Sequence, residues 1–317
     1  MNAAIVREAG HAPVYGDFAD PVATPGTRII RVAAASISHV TVGRASGMHY
    51  SSRNALPFIP GIDGTGVMED GKRVYFLMPE SPYGAMAERT IVADGHWFAI
   101  PDALGAELAA AMANPGMSSW AALRERAKLQ AGETVLINGA TGISGRLAIQ
   151  IARHLGAKKV IATGRQTAAF EDLRRLGADV MIPLVQDRDA LEQAFRKEFE
   201  QGVGVVLDYL WGESAKALLI AAAKAAPEAV PIRFVQIGSM SGSNIDLPSA
   251  VLRSSALELM GSGIGSVPFS GLLNAIHGVL DAAPAAGFTV TTESVPLADV
   301  TSAWGRADAG ARIVLVP

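Results

Sequence analysis

A β-branched apolar run, Thr134-Val135-Leu136-Ile137-Asn138, feeds straight into Gly139-Ala140-Thr141-Gly142-Ile143-Ser144-Gly145, and a helical pattern follows at once. A glycine cluster without a strand before it says little, whereas strand, turn and helix in this order constrain the fold. The turn reads Ala140-x-Gly142-x-x-Gly145, a close variant of the dinucleotide fingerprint with Ala at the first glycine position. Gly142 would let the backbone approach a pyrophosphate, and Gly145 would let the helix pack closely on its strand. The helix N-terminus offers the backbone N–H groups of Ile143 and Ser144 to the phosphate charge. The alternative is a tight βα turn with no ligand, and the context downstream argues against it.

That context is a change of pattern along the chain. Residues 1–112 read as β-rich, with short apolar runs at 28–32, 74–77 and 90–92 separated by turn signals. Residues 113–267 alternate strand and helix. Strands are expected at 134–138, 159–163, 180–183, 203–208, 232–237 and 257–261, with amphipathic helices such as 146–155 and 170–176 between them. Six such strands predict an α/β fold, a doubly wound parallel sheet. Pro268 opens a further helix towards Ala282, and strand-like sequence returns at 289–292 and 313–316. Those last strands are expected to rejoin the first domain, which then comprises 1–112 and 268–317.

Composition removes several function classes. The net charge of the 317 residues is -3, with no long run of one sign, so nucleic acid is not expected as a partner. There is no cysteine, which excludes disulfides and thiolate metal sites. Ala3-Ala4-Ile5-Val6 is strand-like and not a basic segment followed by an apolar one. The apolar stretches are broken well before membrane-spanning length, so a soluble cytoplasmic protein is expected.

The second strand discriminates between nucleotides. An acid about 20 residues beyond the glycines would bind a ribose 2′-hydroxyl and favour NAD. Here the strand ends Ala162-Thr163-Gly164-Arg165-Gln166, and no acid appears before Glu171. Arg165 can clamp a 2′-phosphate through paired charge-assisted hydrogen bonds. Gly164 would leave room for it, and Thr163 would add a hydroxyl donor. These residues favour NADPH.

The chain also resembles the medium-chain dehydrogenase/reductases, and within them the zinc-free quinone oxidoreductase branch. The resemblance rests on residues 32–38, Pro60-Gly61-Ile62-Asp63-Gly64-Thr65-Gly66, the glycine turn, Leu176-Gly177-Ala178-Asp179, Val206-Leu207-Asp208 and Pro296-Leu297-Ala298-Asp299-Val300. It implies a Rossmann cofactor domain (113–267) beside a β-rich GroES-like domain. It also locates departures from the zinc enzymes. A Cys-His pair is replaced by Ser38-His39, a His by Ile62, and no third ligand stands near Pro115 to Ser118. A catalytic zinc needs three protein ligands, so none is expected. Asp63 is expected to be structural, hydrogen-bonding within its loop.

Without a Lewis acid, alcohol oxidation loses its means of stabilising an alkoxide. A quinone or an α,β-unsaturated carbonyl spreads the incoming charge onto a conjugated oxygen instead. The resemblance places Ser38, His39 and Tyr50 around the acceptor, with His49 on the same loop. It places Gly238 and Ser239, after the fifth strand, and Gly261 and Ser262, after the sixth, at the nicotinamide end. It further implies a homodimer paired through the edge strand near 257–263. Three readings remain: an NADPH-dependent, zinc-independent quinone reductase, an enoyl or 2-alkenal reductase, and a catalytically weak NADPH-binding sensor or structural protein.

Overall fold

The computed structural model describes residues 1–48, 55–306 and 310–317. The chain divides into two compact units, Met1–Asn114 with Leu280–Pro317, and Pro115–Val279.

The first unit opens with β1 (Asn2–Ile5), antiparallel to β2 (Val14–Asp17). Then come β3 (Thr27–Ser36), helix α1 (His39–Ala45), β4 (Asp63–Met68), β5 (Arg73–Leu77), β6 (Arg89–Ala93) and β7 (Trp97–Ala99). Strand β3 is the hub, antiparallel to both β4 and β6. Its Ile30, Val32 and Ala34 are buried while Arg31 points to solvent. That period-two alternation is the signature of a half-buried strand. Ile30, Val32, Val74, Phe76 and Met86 share one core. Helix α2 (Ala106–Ala121) then carries the chain into the second unit.

In that unit the chain alternates. It runs β8 (Thr134–Asn138), α3 (Ile143–His154), β9 (Lys159–Gly164), α4 (Phe170–Arg175), β10 (Val180–Pro183), α5 (Arg188–Glu200) and β11 (Val205–Asp208). It continues with α6 (Gly212–Ala225), β12 (Ile232–Gln236), α7 (Ser249–Arg253) and β13 (Leu257–Gly261). The sheet order is β10-β9-β8-β11-β12-β13, parallel throughout. All six strands expected from the sequence form, with bounds shifted by at most two residues. Runs such as Val135-Leu136-Ile137 and Val205-Val206-Leu207 are wholly buried, as strands covered on both faces must be. The strand order reverses between β8 and β11, and the crevice beyond their C-terminal ends is where such sheets bind ligands.

The return differs from expectation in three places. Helix α8 (Phe269–Ala286) runs past Pro284, and the unit boundary falls inside it at 279/280, not at 267/268. Its first turns belong to the second unit because Leu272 and Ala275 pack with Ala121 and Val267. The next strand, β14 (Thr292–Pro296), starts three residues later than the expected 289–292. Gly287 turns the chain at φ +67, Phe288 is buried against the helix end, and pairing begins only at Thr292↔Arg312. Helix α9 (Val300–Trp304) and β15 (Arg312–Val316) follow, and β15 is antiparallel to β3. Among the described residues no helix is long and apolar enough to cross a membrane.

Candidate functional site

The glycine turn lies at the switch point between β8 and β11. Gly142 is the N-cap of α3, and no side chain caps the helix there. The first-turn N–H groups of an α-helix lack intrahelical partners, so those of Ile143 and Ser144 are available to an anion. Thr141 precedes them, and its carbonyl accepts from Arg146 Nε at 3.1 Å. The turn is pinned to its neighbours by Ala140 N–H, which donates to the Thr163 carbonyl at 2.8 Å.

Beneath the turn lies a buried network that sequence reasoning missed. Asn138 Nδ2 donates to Asp208 Oδ1 at 2.8 Å and to Ser214 Oγ at 3.0 Å. The Thr163 hydroxyl donates to Asn138 Oδ1 at 2.7 Å and accepts from Gly139 N–H at 3.2 Å. The Asp208 carboxylate accepts from the Leu210 and Trp211 N–H groups at 3.1 and 3.2 Å. Burial pushes the Asp208 carboxyl above the usual carboxylate range, and these donors pull against that shift. The one hydroxyl proton of Thr163 is thus given to Asn138, in place of the donor role expected towards a phosphate.

The glycines fall into two classes. A Cβ on Gly145 would lie 2.5 Å from Ala140 Cα, so Gly145 serves helix–strand packing. Gly164 is similar: its Cβ would meet Thr141 Cγ2 at 2.4 Å, so this glycine serves the close approach of the turn to β9. A Cβ on Gly238 would stand 2.7 Å from the Tyr209 carbonyl oxygen, which makes it a contact between strand ends. Gly142 and Gly261 have open space before them. Arg165 is exposed at the end of β9, and no hydrogen bond or ion pair engages it among the described residues.

Further along the C-terminal edge, Trp211 adopts φ 57, ψ -156, a region otherwise occupied almost only by glycine. Such a conformation costs about 1–3 kcal/mol and persists only where the surroundings enforce it. Here the Asp208 carboxylate holds its N–H. Trp211 lines an open pocket of about 320 Å³ with Gln236, Ser239, Leu259, Met260 and Gly261. The Gly261 carbonyl accepts from Arg126 Nε, and Ser262 N–H donates to the Gln236 carbonyl, so much of that backbone is already engaged. The buried Tyr209 hydroxyl lies 2.8 Å from Ser119 Oγ on α2. Burial pushes the Tyr209 phenol up to about 12.

In the first unit, Ser38 has a structural task. Its buried Oγ accepts from Thr41 N–H at 3.0 Å and lies 2.8 Å from Thr41 Oγ1, capping α1. This replaces the expected role as a free ligand hydroxyl, and a serine just before a short helix is itself a capping signal. His39 is exposed on the first turn of α1. Tyr50 and His49 lie outside the described residues. Asp63 is structural as expected, but its partner is on the adjacent strand and not in its loop. Tyr75 Oη donates to Asp63 Oδ2 at 2.8 Å. Burial raises the Asp63 carboxyl to about 6, against the pull of Tyr75 and of the Arg312 charge. Ile62 lines a small cavity of about 40 Å³ with Thr41, Arg44, Phe58 and Met78. Among the described residues no three His, Asp or Glu side chains converge as a metal-holding group.

The order of elements and the switch-point turn have close counterparts. The family described as zinc-binding dehydrogenase matches residues 144–278. A relative from Emericella nidulans, named probable NADPH-dependent quinone reductase tdiC, is 30% identical over 358 aligned residues and covers 100% of both chains. The quinone oxidoreductase of Pongo abelii is 33% identical over 66% of each chain. Among solved structures, the quinone oxidoreductase of Thermus thermophilus, determined alone and with NADPH, superposes with a TM-score of 0.83 at 24% identity, covering 100% of both chains. The full-length match and the shared architecture agree: the chain belongs to the medium-chain dehydrogenase/reductase superfamily, in its quinone oxidoreductase-like branch.

Proposed function

We propose that the chain is an NADPH-dependent, zinc-independent reductase that delivers hydride to a quinone or a similar conjugated carbonyl. The observation that carries the reading is the pairing of an uncapped helix N-terminus at Gly142 with an uncommitted Arg165 at the acid-free end of β9. The names of the Emericella and Pongo relatives point to the same activity.

The residues fit the cofactor. Open space before Gly142 admits a pyrophosphate to the Ile143 and Ser144 N–H groups. Arg165 supplies a planar, permanently charged fork for a 2′-phosphate. Ser239, Gly261 and Ser262 lie at the ends of β12 and β13 and would hold the nicotinamide end. Bound NADPH supplies the hydride. The chain's own tasks are to hold the two partners in line, exclude water and donate hydrogen bonds to the acceptor oxygen. His39 and Tyr50 are assigned to that oxygen, and the proton comes from one of them or from water. The donor set argues against zinc: Ser38 is committed to its cap, Ile62 is apolar and the chain has no cysteine.

The setting is a cytoplasmic homodimer. Strand β13 is the outer strand of the parallel sheet, with Glu258 and Leu259 exposed. An exposed strand edge must be covered or paired. A monomer in light scattering at micromolar concentration contradicts this part of the reading.

The test is an NADPH-oxidation screen across quinones, enones and aldehydes, run with and without a chelator. Quinone turnover that survives the chelator is expected, and loss of activity with the chelator overturns the zinc-free assignment. In the same assay R165A weakens NADPH binding by about 1.5–3 kcal/mol and leaves NADH nearly unchanged. Equal losses for both cofactors sink Arg165 as the phosphate clamp.

A further inference from the structure

We propose that Trp211 is the aromatic wall of the acceptor site and makes the enzyme selective for planar, ring-bearing acceptors over acyclic enals. This rests on the reductase reading above and narrows its substrate class.

Three observations converge. The backbone of Trp211 is held at φ 57, ψ -156 by the Asp208 carboxylate, a conformation that glycine would adopt freely. The turn is thus built for glycine, yet it carries the largest side chain available. The indole is only partly buried, and it lines the open pocket of about 320 Å³. That volume is at the lower end for a small-molecule site and suits one or two fused rings.

The pocket's other walls sort by chemistry. Leu259 and Met260 of β13 add apolar surface beside the indole. Gln236 and Ser243 add polar groups. Gln236 Nε2 donates one hydrogen to the Gly238 carbonyl, and its second N–H is the group that can donate to a quinone oxygen. A flat ring with polar substituents matches this set, since aromatic faces prefer offset stacking and the few polar groups fix orientation. Ser239 and Gly261, assigned above to the nicotinamide end, line the same pocket, so a ring seated there lies beside that end. A short-chain enal presents no ring face to the indole and gains little from it.

The experiment uses the full chain and steady-state kinetics with 2-methyl-1,4-naphthoquinone and trans-2-hexenal as acceptors. W211G removes the indole and relaxes the backbone, so the turn survives. It is expected to raise the quinone KM about tenfold while the hexenal KM and the NADPH KM stay within about twofold. W211F keeps a stacking face and is expected to restore most of the quinone KM, whereas W211L, with bulk but no π-face, is not. An unchanged quinone KM in W211G overturns the proposal. So does a rise in the NADPH KM of W211G, which assigns the wall to the cofactor. So does equal restoration by W211L and W211F. If the wild-type enzyme oxidises NADPH with no quinone at all, the reductase reading falls first and this proposal with it.

Discussion

The two units each bury a carboxylate at the end of a strand, and they treat it in opposite ways. Asp208, at the end of β11, accepts from Asn138 Nδ2 and from the Leu210 and Trp211 N–H groups. Asp63, at the start of β4, accepts among the described residues only from the Tyr75 hydroxyl. Its Oδ1, together with Ser36 Oγ and Arg312 Nε, has no hydrogen-bond partner among the described residues. The first cluster is a satisfied network that fixes backbone geometry. The second is a buried charge that a nearby guanidinium offsets only in part. Satisfied networks rigidify, whereas under-satisfied ones leave a protonation equilibrium open. The unit with the glycine turn has the rigid version.

Removing Asp208 should therefore have the largest effect. D208A leaves three donors without that acceptor and frees a strained residue. The expected loss is on the order of 4 kcal/mol in urea unfolding, reduced by whatever strain Trp211 gives up. A loss below about 1 kcal/mol would mean that the network fixes nothing, and the contrast with Asp63 would collapse.

Asp63 should show itself through pH instead. Its folded-state value, about 6, lies above the unfolded value of 3.8. Between those values the folded chain holds the extra proton, so stability falls as pH rises through this window. The Asp63 contribution is thus fully present below the unfolded value and lost above about pH 6. D63N removes this titration. Relative to D63N, the wild type is expected to lose on the order of 3 kcal/mol between about pH 4 and pH 7. Calorimetry on both proteins across that range checks it. A constant difference between them would place Asp63 in a satisfied site after all.

Two glycines separate fold from ligand inside the better-satisfied unit. G145A puts a methyl 2.5 Å from Ala140 Cα, and it should cost about 2 kcal/mol of stability. G142A meets nothing within 4 Å, so the melting temperature should hold while the NADPH KM rises about tenfold. If G142A melts early, the turn is a packing device and its case as a phosphate cradle weakens.

What the sequence made legible was local. The run 134–145 states strand, turn and helix within a dozen residues, and the six strands of the parallel sheet follow from their own apolar runs. What stayed hidden depended on contacts distant in sequence. Nothing near Thr163 signals that its hydroxyl is bound to Asn138, 25 residues away. Gly164 and Gly238 read as room for a ligand, yet each is a close approach between chain segments. Ser38 stands where a ligand is expected, yet its nearest neighbours mark a helix cap. The strand at Thr292–Pro296 was displaced because its register is set by β15 and not by its own apolar pattern. Trp211 gave no warning, since a backbone conformation is invisible in the letter that adopts it.

The smallest expected effect lies at the margin of the satisfied network. Tyr209 follows Asp208 directly, and its hydroxyl shares a hydrogen bond with Ser119 Oγ across 90 residues of chain. Y209F and S119A should each cost about 1 kcal/mol, because each removes the hydrogen bond between the two buried hydroxyls. The double variant should cost scarcely more than either alone, since both single variants lose the same hydrogen bond. The phenol, pushed up to about 12 by burial, stays neutral across the working range. The coupling between the two hydroxyls should therefore be the same at about pH 6 and at about pH 9. That flat response is the opposite of the one expected at Asp63. A coupling that changes with pH over that interval would show that the better-bonded unit also carries an open protonation equilibrium, and the division between the two units would have to be redrawn.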